Sequence, residues 1–258
     1  KVAVIGHGTI GGTCVNVGCV PSKTLIRAAE SIHASKVASR FTGIEAEAQL
    51  VDWPRLAAQK DDLVSSLRES KYIDILPAYS TVSYLEGPAR LVPEGVAVNG
   101  DILSVGKTII STGASAAIPS IAGIEDVPYL TSTTALEMES LPHSMLVIGG
   151  GYIGVELAQM FSRLGVKITL ICRSRLLPQG EPEISEALTG YLIDEGVDVI
   201  SGVAYENISR TSEGIILRFQ SGGSTTETRH EKVLVATGRQ PNTAGLDLKS
   251  VGVETGGS

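Results

Sequence analysis

Two of the three cysteines in the 258 residues stand close together, as Cys14 and Cys19. A disulfide needs Cα atoms within about 7 Å, whereas residues five apart in an α-helix rise about 7.5 Å along the axis and point to different faces. The two cysteines can therefore pair only if the backbone bends between them. Gly18 allows such a bend, and Asn16 competes with helical hydrogen bonding. The sequence predicts an irregular turn here, followed by an amphipathic helix from about residue 24 to residue 36.

Lys23 follows Cys19 by four residues and would share its face if the helix has begun by then. A nearby cation favours the thiolate, which is the reactive form of cysteine. A redox-active dithiol is the leading interpretation, and three others stay open: a structural zinc site, two inert buried thiols, and a structural disulfide. A structural zinc site would need further ligands, and the sequence shows no second cysteine pair. A structural disulfide is typical of secreted proteins, and the sequence shows no secretory signal. We therefore expect a reducing, cytoplasmic compartment.

A second constraining pattern lies between residues 145 and 165. The apolar strand 145–148 leads into the glycine sequence 149–154, and a helical pattern ends at Gly165. This is the dinucleotide fingerprint, whose three glycines are Gly149, Gly151 and Gly154. They serve the tight turn, the approach of the pyrophosphate, and the packing of helix on strand. We predict a nucleotide-binding βαβ unit.

The residues after the next strand indicate which nucleotide binds. An NAD site places an acidic residue there, whereas a 2'-phosphate requires arginine. This chain has Arg173 and Arg175, and its first acidic residue after them is Glu181. NADPH is therefore predicted in preference to NADH. Cys172, beside them, is interpreted as a small buried residue at a strand end.

Several other patterns lead to structural expectations. The glycine pattern of residues 6–11 follows a strand, but we expect the dithiol turn after it, not the helix that a nucleotide fingerprint needs. A helix from about 52 to 71 would expose its charges, and residues 117–128 would form a linker. The histidines are expected in turns or on helix surfaces. Short strands are predicted at 81–85, 89–92, 95–98, 101–104 and 107–111.

The charge of the chain restricts its partners. The net charge is -7 and the isoelectric point is near 5.2, which argues against binding to nucleic acid or to an anionic membrane surface. No apolar run is long enough to span a bilayer. The composition suits one or two soluble α/β domains.

The segment GGTCVNVGCVPSK, residues 11–23, resembles the active-site signature of the FAD-dependent pyridine nucleotide-disulfide oxidoreductases. The residues of this segment are most similar to those of the mercury(II)-reducing members of that family. The resemblance implies an α/β fold with two Rossmann-like, three-layer ββα domains that bind FAD and NAD(P), the first of them incomplete. It implies a partial FAD domain with the dithiol at 1–120, an NADPH domain at 121–238, and a segment returning to the FAD domain at 239–258.

The resemblance also implies roles for particular residues. Cys19 would be the thiolate facing the flavin, and Cys14 would exchange with substrate; both would bind Hg(II) transiently. Lys23 would pair with Glu156, and Tyr152 would lie over the flavin. The remaining residues implied to bind FAD or NADPH are Gly8, Gly12, Thr13, Ala89, Thr112, Gly113, Gly149, Gly151, Ile153, Gly154, Arg173, Arg175 and Gly238.

The implied reaction is the NADPH-dependent reduction of Hg(II), taken as a thiolate complex, to Hg(0) through FAD and the dithiol. The resemblance also implies that the full-length protein is a homodimer. The first βα unit of the family, with the flavin fingerprint, and the family's interface domain are expected to lie outside these residues. Two alternatives stay open: another flavin disulfide reductase, similar to dihydrolipoamide dehydrogenase, and a nucleotide-binding fragment without catalysis.

Overall fold

The computed structural model describes residues 1–256 of the chain. Its helices are α1 (Gly12–Asn16), α2 (Cys19–Lys36), α3 (Trp53–Arg68), α4 (Ser132–Ala135), α5 (Tyr152–Arg163) and α6 (Pro182–Asp194). Its strands are β1 (Val2–Gly6), β2 (Val82–Glu86), β3 (Ala89–Val92), β4 (Gly95–Val98), β5 (Asp101–Leu103), β6 (Ala114–Ala116), β7 (Ser144–Ile148), β8 (Lys167–Ile171), β9 (Asp198–Ile200), β10 (Ala204–Thr211), β11 (Gly214–Ser221), β12 (Ser224–His230), β13 (Lys232–Val235) and β14 (Arg239–Pro241).

The chain divides into two compact units. Unit 1 contains Lys1–Asn16, Asp62–Ser115 and the described residues from Gln240 onward, and unit 2 contains Val17–Asp61 and Ala116–Arg239. The domain boundaries predicted at 120/121 and 238/239 remain predictions.

A parallel sheet organises unit 2, with the strand order β13-β7-β8-β9. Met145 pairs with Ile168 and with Lys232, so β7 lies between β8 and β13. The last four residues of β7 and of β8 are buried, as expected where helices cover both faces of a parallel sheet. The apolar runs of the sequence therefore specified these strands correctly.

A second, antiparallel sheet in unit 2 has the order β10-β11-β12, and the turn at Gly222 and Gly223 joins the last two strands. Residues 117–128 were predicted to form a linker, and this was wrong. Ile121, Ile124 and Val127 are buried in one cluster with residues of β7 and β11. Proline and glycine marked the irregular backbone there, but they did not reveal that its apolar side chains enter the core.

The amino-terminal half of α3 also packs into unit 2. The indole of Trp53 donates a hydrogen bond to the Met138 carbonyl at 2.7 Å. Lys60 was predicted on a solvated face, but it is only 2% exposed. Its ammonium donates to the Leu136 carbonyl at 2.9 Å and pairs with Asp61 at 2.6 Å. These partners replace the water that a buried cation loses, which a charge pattern alone does not indicate.

A polar cluster joins α2, α5 and the end of α6. Arg163 donates to both carboxylate oxygens of Glu195, at 2.6 and 2.7 Å, and Gln159 donates to the same carboxylate at 2.9 Å. Burial alone would raise the pKa of Glu195, but the Arg163 guanidinium, together with His33 and Gln159, lowers it overall. His33 of α2 lies 3.7 Å from this carboxylate. The cluster therefore fastens α2 along α5.

Unit 1 contains a parallel pair, β1 with β2, and an antiparallel sheet, β3-β4-β5. The strand predicted at 107–111 is not formed, and Ile109 is 89% exposed. Its β-branched residues favour a strand, but a strand also requires a neighbouring backbone with which to pair. Within residues 1–256, no helix has the combination of length and apolar character needed to cross a membrane.

His230 lies at the end of β12 and is 5% exposed, so its predicted place in a turn or on a helix surface was wrong. Its Nε2 is 2.8 Å from the Thr228 hydroxyl, and its buried Nδ1 has no partner among the described residues. Burial lowers the pKa of His230 from its usual 6.5 to about 4; Asp198 opposes this shift and Lys167 adds to it. The imidazole is therefore neutral in the folded protein at neutral pH.

We expect His230 to make the fold sensitive to acid. Between pH 6.5 and pH 4 the unfolded chain takes up a proton at His230 and the folded chain does not. Stability from this group is therefore complete above pH 6.5 and falls with pH, by about 3 kcal/mol in total. Urea unfolding at several pH values in this range would measure the free energy of unfolding. For His230→Gln this free energy should depend less on pH than it does for the wild type. His143→Gln, at an exposed position, should keep the pH dependence of the wild type. Parallel curves for His230→Gln and wild type would contradict the assignment.

Candidate functional site

The turn between β7 and α5 is built on the three glycines that the sequence predicted. Gly149 has a φ of +124°, and a Cβ at this position would overlap the Ala236 carbonyl. A Cβ on Gly154 would overlap the carbonyl oxygen of Gly149, so α5 lies directly against the turn. Gly151 is different: no atom lies within 4 Å of the place where its Cβ would be. The turn therefore leaves open space in front of the first amides of α5.

This turn forms one wall of a cleft of about 360 Å³ within unit 2. The cleft brings together most of the residues predicted to bind NADPH. The predicted residues that line it are Gly149, Gly151, Tyr152, Ile153, Arg173, Arg175 and Gly238. Its position is the carboxyl edge of a parallel sheet beside a helix amino terminus, where amide groups and the helix dipole favour a phosphate. The geometry fits a dinucleotide.

Cys172 and Tyr205 also line the cleft. Cys172 is buried, as predicted, and burial raises the pKa of its thiol. The Tyr205 hydroxyl donates to the Ile171 carbonyl at 3.2 Å, and burial raises the pKa of this phenol. Sequence reasoning missed Tyr205, because it stands in the largely polar strand β10 that carries no apolar run.

An ion pair connects α2 with α5. Lys23 Nζ lies 2.5 Å from Glu156 Oε2, which brings together the two residues that the family resemblance paired. Both side chains are about half exposed, so the pair contributes little stability and acts mainly on the position of the lysine. Tyr152 precedes Glu156 by one helical turn and shares its face. Tyr152 is 68% exposed and lines the cleft.

The two cysteines of the motif lie in different helices. Cys14 is in α1, and Cys19 is the first residue of α2; both are exposed. The predicted irregular turn was therefore too long, because only Val17 and Gly18 interrupt the helical backbone. The expected bend between the cysteines is present at Gly18, which has φ -121° and ψ -113°. Since α2 begins at Cys19, Lys23 lies one turn from it on the same face.

Asn16 supports the short helix that carries Cys14. Its amide donates to the carbonyls of Ile10 and Gly12, at 2.9 and 3.0 Å, and its carbonyl accepts from Arg68 at 2.7 Å. The sequence indicated Asn16 as a helix breaker, but it did not indicate Arg68, which lies 52 positions away. Only the tertiary structure brings these two residues together.

The residues predicted to bind FAD lie in unit 1. Gly8 and Gly12 have φ angles of +85° and +69°, and no atom would contact a Cβ on either. A Cβ on Gly113 would lie 4.0 Å from the Thr13 hydroxyl, so these two predicted residues are neighbours. Ala89 stands in β3, opposite Val98.

Asn242 fastens the segment that contains Thr112 and Gly113. Its side-chain amide donates to the Thr112 carbonyl, and its backbone amide donates to the Gly113 carbonyl, both at 3.0 Å. The sequence gave no sign of this contact, which spans 130 positions. Among the described residues, no group of three or more His, Cys, Asp or Glu side chains could hold a metal ion.

Comparisons with known proteins agree with this geometry. Residues 1–258 match the family described as pyridine nucleotide-disulphide oxidoreductase. The chain is 47% identical to a mercuric reductase of Lysinibacillus sphaericus and 43% identical to one of Staphylococcus aureus, covering 99% of this chain and 47% of each relative. A mercuric reductase of Streptomyces lividans is 42% identical, with 55% of its length covered. The chain thus spans about half the length of the curated relatives it matches.

A solved structure is similar over nearly the whole chain. The HOCl-induced flavoprotein disulfide reductase RclA from Escherichia coli superposes with a TM-score of 0.82 at 30% identity, covering 99% of this chain and 55% of that one. The fold class predicted from the sequence is confirmed. The family match extends from the dithiol motif through the nucleotide cleft, and the chain therefore belongs to the pyridine nucleotide-disulphide oxidoreductase family.

Proposed function

We propose that the protein to which this chain belongs is a mercury(II) reductase, which uses NADPH, FAD and a dithiol to reduce Hg(II) to Hg(0). One structural observation supports this proposal most directly. The ion pair between Lys23 and Glu156 connects the helix that begins at Cys19 with the helix that follows the nucleotide turn. The mercuric reductases of three bacteria, 42 to 47% identical to this chain, support the choice of substrate.

The unit 2 cleft fits NADPH by its own chemistry. The open space at Gly151 admits a pyrophosphate next to the amides of α5, and the exposed Arg173 offers a cation at the end of β8. Because the ring of Tyr152 is largely exposed, it could move to admit a nicotinamide without breaking a packed core. The residues present therefore suit a phosphorylated dinucleotide.

For FAD, the proposed contacts in unit 1 are Gly8, Gly12, Thr13, Ala89, Thr112 and Gly113. Gly8 and Gly12 leave room for close approach of a ligand to the backbone, and Thr13 next to Gly113 gives a polar group beside them. These residues would hold FAD, which would supply the redox chemistry that links a nicotinamide to the dithiol. The structure of these residues is compatible with that group.

The chain's own residues then handle the thiol chemistry. Cys14 and Cys19 hold Hg(II) as soft thiolate ligands. Lys23 lies one helical turn from Cys19, and Glu156 holds the lysine in place. The reaction balances, since NADPH supplies two electrons, the thiolate complex of Hg(II) becomes Hg(0) and two released thiolates, and NADP⁺ and one proton are the other products. A homodimer, implied by the family resemblance, and a cytoplasmic location, expected from the cysteine usage of the sequence, are part of the same proposal.

The proposal predicts that the purified protein oxidises NADPH faster when Hg(II) is added as a thiolate complex. Absorbance of NADPH would follow the rate, with FAD present in the buffer. Zn(II), which also binds thiolates but has no redox chemistry, is the matched control and should give no increase. A yellow protein that releases flavin on denaturation would support FAD binding.

Other results would favour the alternatives. Oxidation driven by lipoamide but not by Hg(II) would identify another disulfide reductase. A colourless protein that binds NADPH but has no Hg(II)-dependent oxidation would identify a nucleotide-binding module without catalysis.

A further inference from the structure

The loop that follows β8 folds back onto the glycine turn. The backbone amide of Leu177 donates to the Gly150 carbonyl at 2.7 Å, and Ser174 accepts from the Gly202 amide at 2.8 Å. Leu177 has a φ of +44°, a conformation that residues other than glycine rarely adopt. Such backbone persists only where the surrounding contacts hold it, and it is frequent at ligand-binding sites. Residues 172–180, called the arginine loop below, are thus held in one shape at the cleft.

The two arginines of this loop have different surroundings. Arg175 is half-buried, and its Nη2 donates to the carbonyls of Gly180 at 2.7 Å and Pro178 at 3.3 Å. Its Nε is buried and has no partner among the described residues, so this donor does not face the open cleft. Arg175 therefore uses its guanidinium to close the loop on itself.

Arg173 is exposed and lines the same cleft. No hydrogen bond or ion pair joins its guanidinium to another residue in the range 1–256. A free guanidinium can form two parallel hydrogen bonds with a phosphate group, which suits a phosphomonoester better than it suits a neutral ribose. Arg173 can therefore meet such a ligand as it stands, whereas Arg175, which also lines the cleft, already donates to two backbone carbonyls of the loop.

We propose that Arg173 alone contacts the 2'-phosphate of the bound nucleotide, and that Arg175 is a positioning residue which holds the arginine loop in the shape that presents Arg173. This proposal rests on the NADPH specificity proposed above. It divides between two roles what the sequence pattern attributed to both arginines together. The selectivity for a phosphorylated ribose then depends on one side chain, and the affinity for any adenine nucleotide depends on the loop.

Two probes separate these roles: 2',5'-ADP, which carries the 2'-phosphate, and 5'-AMP, which lacks it. Isothermal titration of the purified protein would give both dissociation constants. Arg173→Met should weaken the binding of 2',5'-ADP by about tenfold or more, which is the scale of a lost charged hydrogen bond. The dissociation constant of 5'-AMP should stay within about twofold of the wild-type value. Arg175→Met should weaken both probes by a similar factor and so keep their ratio. It should also increase proteolytic cleavage of the arginine loop.

Matched controls make the result specific. Arg210→Met removes an exposed charge from β10 and should leave the dissociation constants of both probes unchanged. This variant tests for general electrostatic effects. Arg175→Lys keeps the charge and can bond one carbonyl, so it should restore part of the common affinity and keep the ratio; unfolding curves would confirm that each variant is folded. The assignment of roles would be overturned if Arg175→Met changed the ratio of the two dissociation constants, or if Arg173→Met left that ratio as it is in the wild type. Equal binding of both probes by the wild type would instead overturn the NADPH specificity and, with it, the role of Arg173.

Discussion

Gly154→Ala is expected to destabilise the protein by about 3 kcal/mol or more, the upper range for overpacking of a closely packed core. The new Cβ would overlap the carbonyl oxygen of Gly149, which is backbone and cannot rotate away. Relief would require α5 to move off the turn, and its buried residues Leu157, Ala158 and Phe161 would then lose their packing. Chemical denaturation followed by circular dichroism would measure the loss. Nucleotide binding should fall with it, because the first amides of α5 shift with the helix.

Gly151→Ala is the matched control, since it adds the same methyl group two positions from Gly149. Gly151 has φ -79° and ψ 177°, which any residue adopts, and no atom lies within 4 Å of the added Cβ. Stability should stay within about 0.5 kcal/mol of the wild type. Binding of NADPH should weaken by about tenfold or more, since the methyl group occupies the space that the pyrophosphate needs. A Gly151→Ala protein as unstable as Gly154→Ala would contradict the geometry described for the turn.

Cys19→Ser is expected to reduce Hg(II)-dependent NADPH oxidation by at least about a thousandfold, since loss of a catalytic nucleophile can reduce turnover by several orders of magnitude. A serine hydroxyl is not ionised at neutral pH and is a poor ligand for a soft metal ion. Cys14→Ser should have a comparable effect, because reduction of the metal ion uses both thiols of the pair. Steady-state kinetics with Hg(II) as a thiolate complex would measure both.

Binding of NADPH distinguishes a chemical defect from a folding defect. It should be unchanged in both cysteine variants, because the cleft lies in unit 2 and neither cysteine lines it. Ser31→Ala changes an exposed hydroxyl farther along α2 and should retain full activity. Hg(II)-dependent oxidation that survived Cys14→Ser would refute the dithiol mechanism, and loss of activity in Ser31→Ala would show that any change in α2 is damaging.

Local patterns in the sequence predicted the elements of the nucleotide site well. The strand, the glycine turn and the helix that starts at Tyr152 are continuous in the chain, and periodicity and glycine spacing report directly on such local geometry. The segment 107–111 shows the limit of this reasoning. Its composition favours a strand, but pairing depends on a second backbone that composition does not specify.

Long-range partners were the part that local patterns could not predict. The sequence pattern predicts Lys60 as a surface charge, but its burial depends on the Leu136 carbonyl, which is 76 positions away. His230 reads as a polar residue near a turn, and its burial depends on the neighbouring strands of the β10-β11-β12 sheet. Both residues are polar and have no periodicity that marks a buried position.

The sequence by itself determined the family, the dithiol motif and the dinucleotide turn, because each depends on residues close together in the chain. Only the tertiary structure decided which groups that are distant in the chain come into contact. It brought Arg68 to Asn16 over 52 positions, and it gave Arg175 two carbonyl partners within the arginine loop, although the sequence presents Arg173 and Arg175 as equivalent. The physical reason is that hydrogen bonds and burial depend on where the folded chain places a partner, and sequence spacing does not specify that place for distant residues.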